Sequence, residues 1–229
     1  MAGFVSAKGV EPLETVVLTP GQMATVHMIL SVLLDYPREN FGEALDATDD
    51  STLTLPDEVR GDIDRFVDWA RGTGQRGVEE HYVDMFDQRR RCALYLTYYA
   101  VGDTRQRGAA ILGFREAMKA VGFEAARDEL PDYLPVVLEM SAMSSDPVAL
   151  ELLASHREGI EVMRAALHGY DSPYAHLLNA LCRTLPPVSD EVVERFQRLV
   201  TQGPPGEMVG VDDLPFPTIS NTADDGRRA

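Results

Sequence analysis

The chain has 229 residues and a formal net charge of −16, from 21 Lys and Arg against 37 Asp and Glu. With 45% hydrophobic and 25% charged residues it has the composition of a globular protein, able to bury a core without disulfides or metal. The acidity excludes a broad basic face for nucleic acid, because phosphate neutralisation supplies most of such affinity, and it favours a neutral or basic partner.

Residues 1–19 contain Gly3, Gly9 and Pro12 without a sustained apolar period, which predicts a flexible extension. Thr19-Pro20 opens a helix through Met23, Val26, Ile29, Leu30, Leu33 and Leu34, and it stops before Pro37. Its apolar run is too short for the ~20 residues that span a bilayer. After Pro56, the spacing of Val59, Ile63, Phe66, Val67 and Ala70 predicts a helix closed by Gly72 and Gly74. Val78, Tyr82, Met85 and Phe86 mark the next, and Cys92 to Ala100 another. Asp103 is placed to cap a longer helix ending at Gly122. Pro131 and Pro135 bracket the start of one through Val137, Leu138 and Met140. Pro147 to Leu167, Pro173 to Leu185 and Ser189 to Val200 complete the series. Alternating β-branched runs are missing, so the fold is expected to be all-α. The expected organisation is a single globular domain of about ten helices over residues 20–200, followed by an acidic, Pro-rich, disordered tail over 201–229.

The sequence offers little for catalysis. His27, His81, His156, His168 and His176 form no pair at helical spacing, and no phosphate loop or nucleophile elbow is present. Gly72-Thr73-Gly74-Gln75-Arg76-Gly77 follows no strand and reads as a break between helices. Cys92 and Cys182 lie in separate apolar stretches, the pattern of buried thiols in a cytoplasmic protein. No enzyme, resident metal or bound cofactor is expected.

The segment from Tyr82 to Leu138 is distinctive. Within it, residues 84–107 carry five arginines (89, 90, 91, 105 and 107) against three aspartates, locally basic in an acidic chain, and Tyr95, Tyr98 and Tyr99 gather half-polar rings. Two prolines four apart in Leu130-Pro131-Asp132-Tyr133-Leu134-Pro135 stiffen a connection that presents Asp132 and Tyr133. Residue chemistry alone leaves two readings open. Arginines pair with acids, aromatics fill the core and Asp103 caps a helix; or the residues around 78–100 and 130–143 wall a groove for an amphipathic basic helix. On the second reading, truncating Tyr133 or Leu134 would weaken binding and spare the fold.

The order of motifs then becomes informative. Leu33-Leu34-x-Tyr36-Pro37, Met85-Phe86-Asp87 with Arg90-Arg91, Gly102-Asp103-x-Arg105-x-Arg107-Gly108 and Glu129-Leu130-Pro131-Asp132-Tyr133-Leu134-Pro135 together resemble the NarJ family. These are the assembly chaperones, or delta subunits, of respiratory nitrate reductase, within the all-helical TorD-like chaperones. The sequence departs from the pattern at Gln88, where many relatives carry a small residue. The resemblance implies binding of the apo alpha subunit through its N-terminal peptide, with proteins of molybdenum cofactor biosynthesis as further partners. It implies a monomer that keeps its client competent for molybdenum cofactor and iron–sulfur insertion before membrane docking, and holds no cofactor permanently. Peptide contacts are then expected at Phe86, Arg90, Arg91, Tyr95, Tyr99, Asp132, Tyr133 and Leu134. Framework positions are expected at Asp103, Arg105, Arg107, Pro131 and Pro135. Chaperoning of another molybdoenzyme, or nucleotide and anion binding through the arginines, are the alternatives.

Overall fold

The computed structural model describes residues 13–102, 106–125, 128–144 and 146–186. Within them the chain forms ten α-helices and no strand. The helix expected over 189–200, the tail 201–229 and the first twelve residues lie outside the described residues.

Helix α1 (Pro20–Leu33) begins where Thr19-Pro20 predicts, with Thr19 as its cap. The Gln22 N–H donates to Thr19 Oγ1 at 3.3 Å, and the Thr19 N–H donates to Gln22 Oε1 at 3.0 Å, satisfying two orphan donors reciprocally. Val26, Leu30 and Leu33 of α1 have no exposed surface, and α7 (Leu134–Met143) packs along them with Leu134, Val137 and Leu138 equally buried. His27 sits within this contact, its Nδ1 2.8 Å from Ser141 Oγ and its Nε2 2.9 Å from Thr184 Oγ1 on α10 (Tyr174–Thr184). Burial holds its pKa down at about 4, so the ring is neutral.

Helix α3 (Asp57–Thr73) packs against α10. Buried Asp62 joins them, accepting from Arg183 Nε at 2.9 Å and from Arg65 at 3.1 Å. On α9 (Arg157–Gly169), buried Glu161 accepts from Arg157 at 3.1 Å and from Arg164 at 2.6 Å. A buried carboxylate held this way tolerates loss of either partner poorly.

Four features depart from the sequence pattern. Helix α2 (Phe41–Thr52) forms where none is predicted, because its inner face mixes Phe41 and Leu45 with Thr48 and Thr52. Both threonine hydroxyls donate back to helix carbonyls, of Ala44 and Asp49, so they can be buried. Residues 13–19, expected to be loose, run extended beside the end of α10. The Val16 N–H donates to Arg183 O at 2.9 Å, and Leu13, Val16 and Leu18 pack on the core. The helix expected over 147–167 divides into α8 (Val148–Ser155) and α9. His156, at φ −103° and ψ 12°, marks the break, its Nδ1 2.9 Å from Leu152 O and its ring 4.9 Å from that of Phe114.

The fourth departure lies in the distinctive segment. Helix α4 (Gln75–Tyr82) runs into a single π-helical turn, Val83–Asp87, and then a 3-10 turn, Arg90–Cys92. Residues 93–95 are extended, and α5 (Leu96–Val101) begins only after them, so no continuous helix spans 92–100. Leu94 and Leu96 are both buried with Tyr95 turned outward between them. That period of two is the reason the segment cannot stay helical. Helix α6 (Gln106–Ala120) follows, resting on α5 and burying only Phe114 and Met118.

Candidate functional site

Three of the four sequence motifs converge on one junction. Pro131 and Pro135 hold the chain so that Tyr133 caps the N-terminus of α7, and Tyr133 pairs antiparallel with Tyr95 in an isolated bridge. The Leu96 N–H donates to Asp132 O at 2.9 Å and the Leu134 N–H donates to Leu94 O at 2.7 Å. Asp132 is fully buried. Its Oδ2 accepts from the Thr97 hydroxyl at 2.6 Å and the Thr97 N–H at 3.3 Å, capping α5 from a distant part of the chain. Its Oδ1 is buried without a hydrogen-bond partner.

Tyr133 links this bridge to the end of α1. Its hydroxyl donates to Asp35 Oδ1 at 3.1 Å, so the Tyr82 hydroxyl, 2.7 Å away, must donate to it. Rings from all sides support the chain of hydroxyls. Tyr36 meets Tyr82 edge-on at 5.4 Å, Phe86 lies 4.7 Å from Tyr82, and Tyr95 lies 5.3 Å from Tyr133. Burial raises the pKa of Tyr82 and Tyr133 far above the phenolic range, so both remain neutral donors. Tyr95 is pushed up to about 12, chiefly by burial and then by the charge of Glu129, to which its hydroxyl donates at 3.1 Å. The Arg107 guanidinium sits 5.6 Å above the Tyr95 ring.

The expected contact residues divide by exposure. Phe86, Tyr99, Asp132, Tyr133 and Leu134 are buried, Leu134 completely, whereas Arg91 and Tyr95 are half-buried and Arg90 is exposed. Tyr99 donates to the carbonyls of Arg91 and Ala93 at 3.0 and 2.8 Å, tying the 3-10 turn to α5. The segments 78–100 and 130–143, expected to wall a groove, are instead joined directly by the Tyr95–Tyr133 bridge. Arg89 donates to both oxygens of Asp84 and covers the Tyr170 ring at 4.1 Å, so its charge is engaged within the fold. Asp103 and Arg105 lie outside the described residues.

Open space lies beside the junction, where α1 turns into α2. A cleft of about 340 Å³ is lined by Val32, Asp35, Tyr36, Arg38, Asn40 and Phe41. Asp35 belongs to both features, facing the cleft and accepting from Tyr133. The sequence motif included Tyr36, but nothing singled out Asp35 or Tyr82 as site residues. The available signal was a polar Asp-Tyr-Pro directly after a wholly apolar helix end. Among the described residues no group of three His, Cys, Asp or Glu could hold a metal ion. No described helix is long and apolar enough to cross a membrane.

Residues 53–180 match the family described as nitrate reductase delta subunit. Over 154 residues the chain is 36% identical to the nitrate reductase-like protein NarX of Mycobacterium tuberculosis, a match covering 67% of this chain but 23% of that protein. The chain therefore spans under a quarter of that relative's length. It is 29% identical over 157 residues to the probable nitrate reductase molybdenum cofactor assembly chaperone NarJ of Bacillus subtilis, covering 68% of this chain and 85% of the relative. Escherichia coli NarJ, the nitrate reductase molybdenum cofactor assembly chaperone, is 27% identical over 178 residues and 74% of each chain. The family match contains the π turn, the Tyr95–Tyr133 bridge and the Tyr82–Tyr133 hydrogen bond, while the cleft precedes it. With more than half of its length matched, the chain belongs to the nitrate reductase delta subunit family.

Proposed function

We propose that this protein is a chaperone for nitrate reductase assembly, not an enzyme. It binds the apo alpha subunit through that subunit's N-terminal peptide. It acts in the cytoplasm as a monomer, keeping the client competent for molybdenum cofactor and iron–sulfur insertion before membrane docking, and then leaves. Proteins that deliver the cofactor are its further partners. The observation that carries this reading is the match over 85% and 74% of two relatives named as molybdenum cofactor assembly chaperones. The net charge of −16 supports it, since an acidic body raises the encounter rate with a basic peptide. Ordering a mobile peptide on binding lowers net affinity, which suits a client that must be released.

The test is affinity capture of the tagged full chain from cells expressing nitrate reductase, with the retained subunit identified and its molybdenum and iron measured. Capture of the catalytic subunit poor in molybdenum is the expected result. Retention of a different molybdoenzyme's subunit would reassign the client, and retention of none would reject the chaperone reading.

A further inference from the structure

We propose that residues 13–18 are a displaceable strap, and that the client peptide takes their seat along the end of α10 as an extended, apolar chain. In the free chain the strap keeps that seat closed. This rests on the peptide-binding function proposed above and assigns it a place, a bound conformation and an internal competitor.

The first argument is what the strap covers. Arg183 lies in the last turn of α10, where an α-helix leaves its final carbonyls without intrahelical donors. The strap supplies donors from outside. The Val16 N–H donates to Arg183 O at 2.9 Å, and the Thr15 hydroxyl donates to Leu185 O at 3.1 Å. Leu13, Val16 and Leu18 pack against the core. The end of α10 is therefore a seat that already holds an extended chain, through backbone acceptors and an apolar floor. In this mode main-chain bonds give affinity and the side chains facing the floor give selectivity.

The second argument is how lightly the strap is held. Among the described residues two hydrogen bonds fasten it, and Leu13, Val16 and Leu18 are only partly buried. Leu181 and Leu185, at the end of α10, have no exposed surface. Val17 is 95% exposed, so the strap contributes no second apolar face. A segment with so few buried contacts opens at a fraction of the cost of global unfolding. Helix α1 does not depend on it. The Thr19–Gln22 capping box and Pro20 complete that helix's start from within, so the chain can swing away before Thr19 without fraying α1.

The third argument is what must replace it. Departure of the strap bares an apolar floor and the carbonyls of Arg183 and Leu185, and an extended apolar peptide restores both. A helical peptide has its amides bonded internally beyond the first turn and cannot answer these carbonyls. A polar one leaves the floor wet. The strap's own sequence, with apolar residues at 13, 16 and 18, describes the pattern the seat accepts. Because strap and client compete, the free chain shields its apolar floor, and client affinity is reduced by the fraction of chains whose strap is closed.

The experiment is calorimetric titration of the full chain with a synthetic peptide covering the N-terminal segment of the cognate nitrate reductase catalytic subunit. Val16→Pro removes the amide that bonds Arg183 O and keeps an apolar side chain. It is expected to tighten peptide binding about fivefold, the factor one hydrogen bond supplies, while lowering the thermal midpoint slightly. Hydrogen exchange on the wild-type chain gives a second reading that needs no variant. Adding the peptide is expected to speed exchange of the Val16 amide. Unchanged or weaker binding by Val16→Pro, or a Val16 amide that stays protected with peptide bound, overturns the strap and leaves the chaperone reading intact. No binding by either chain overturns both the peptide reading and the strap.

Discussion

Replacing Tyr133 by Phe removes one oxygen and leaves the ring in place, so it isolates the hydroxyl chain from the packing around it. The lost contacts are the 3.1 Å bond to Asp35 and the 2.7 Å bond accepted from Tyr82. The second is a neutral bond between two buried side chains and contributes about 1 kcal/mol. The first has a carboxylate acceptor, but Asp35 is half-exposed and water can replace the phenol there, so about 1 kcal/mol is again the appropriate size. Tyr133→Phe should therefore cost about 2 kcal/mol, or roughly 4–8 °C in thermal midpoint for a domain of this size. Tyr82→Phe should cost about 1 kcal/mol, and the double variant about 2 rather than 3, because both variants break the same bond. Urea unfolding at constant m measures all three. A double variant whose losses simply add, or a Tyr133→Phe protein within ~0.5 kcal/mol of wild type, would show that the hydroxyls are not a coupled chain.

Leu134→Ala should destabilise the fold by about 2–5 kcal/mol in chemical denaturation, because the side chain is fully buried at the start of α7, the helix that packs along α1. This opposes the sequence-based expectation of a binding loss with the fold spared, and a variant as stable as wild type would restore that expectation. Gly159→Ala would place a Cβ 2.6 Å from Tyr99 Cβ and 2.9 Å from Cγ, atoms too near the backbone to swing aside. It should cost about 1–3 kcal/mol despite the better helix propensity of alanine, and a stabilised variant would refute the close α5–α9 approach. His27 has its pKa lowered to about 4 by burial, so between there and its ordinary value of 6.5 the unfolded chain binds a proton that the folded one refuses. Stability should fall by roughly 3 kcal/mol as pH drops through that window. His27→Gln should lack this dependence, and an unchanged slope in that variant would assign it to other groups.

Local sequence accounts for much of the helical frame. The Thr19-Pro20 start, the Gly74 break and the Pro173 start describe themselves, because capping geometry and the conformational limits of proline and glycine act within a few residues. The order of the four motifs was enough to reach the family. Side-chain assignments were less legible. Tyr133 and Leu134 in a stiff, proline-flanked loop look like display residues, but a rigid loop that turns inward has the same composition.

What the sequence by itself determined was an acidic, all-helical chain, its family, and the segment around which the site is organised. The tertiary structure alone decided which motif residues face solvent and which hold others in place. Asp132 became the cap of α5 because folding brought its carboxylate to Thr97, 35 positions away, where no local rule could place it. Residues 93–95 left the helix because Leu94 and Leu96 are both drawn into the core, outweighing their helical propensity. Asp35 joined the site because its partner Tyr133 stands 98 residues further along the chain. Capping and periodicity act over one or two turns, whereas burial and long-range hydrogen bonds arise only once the helices have packed.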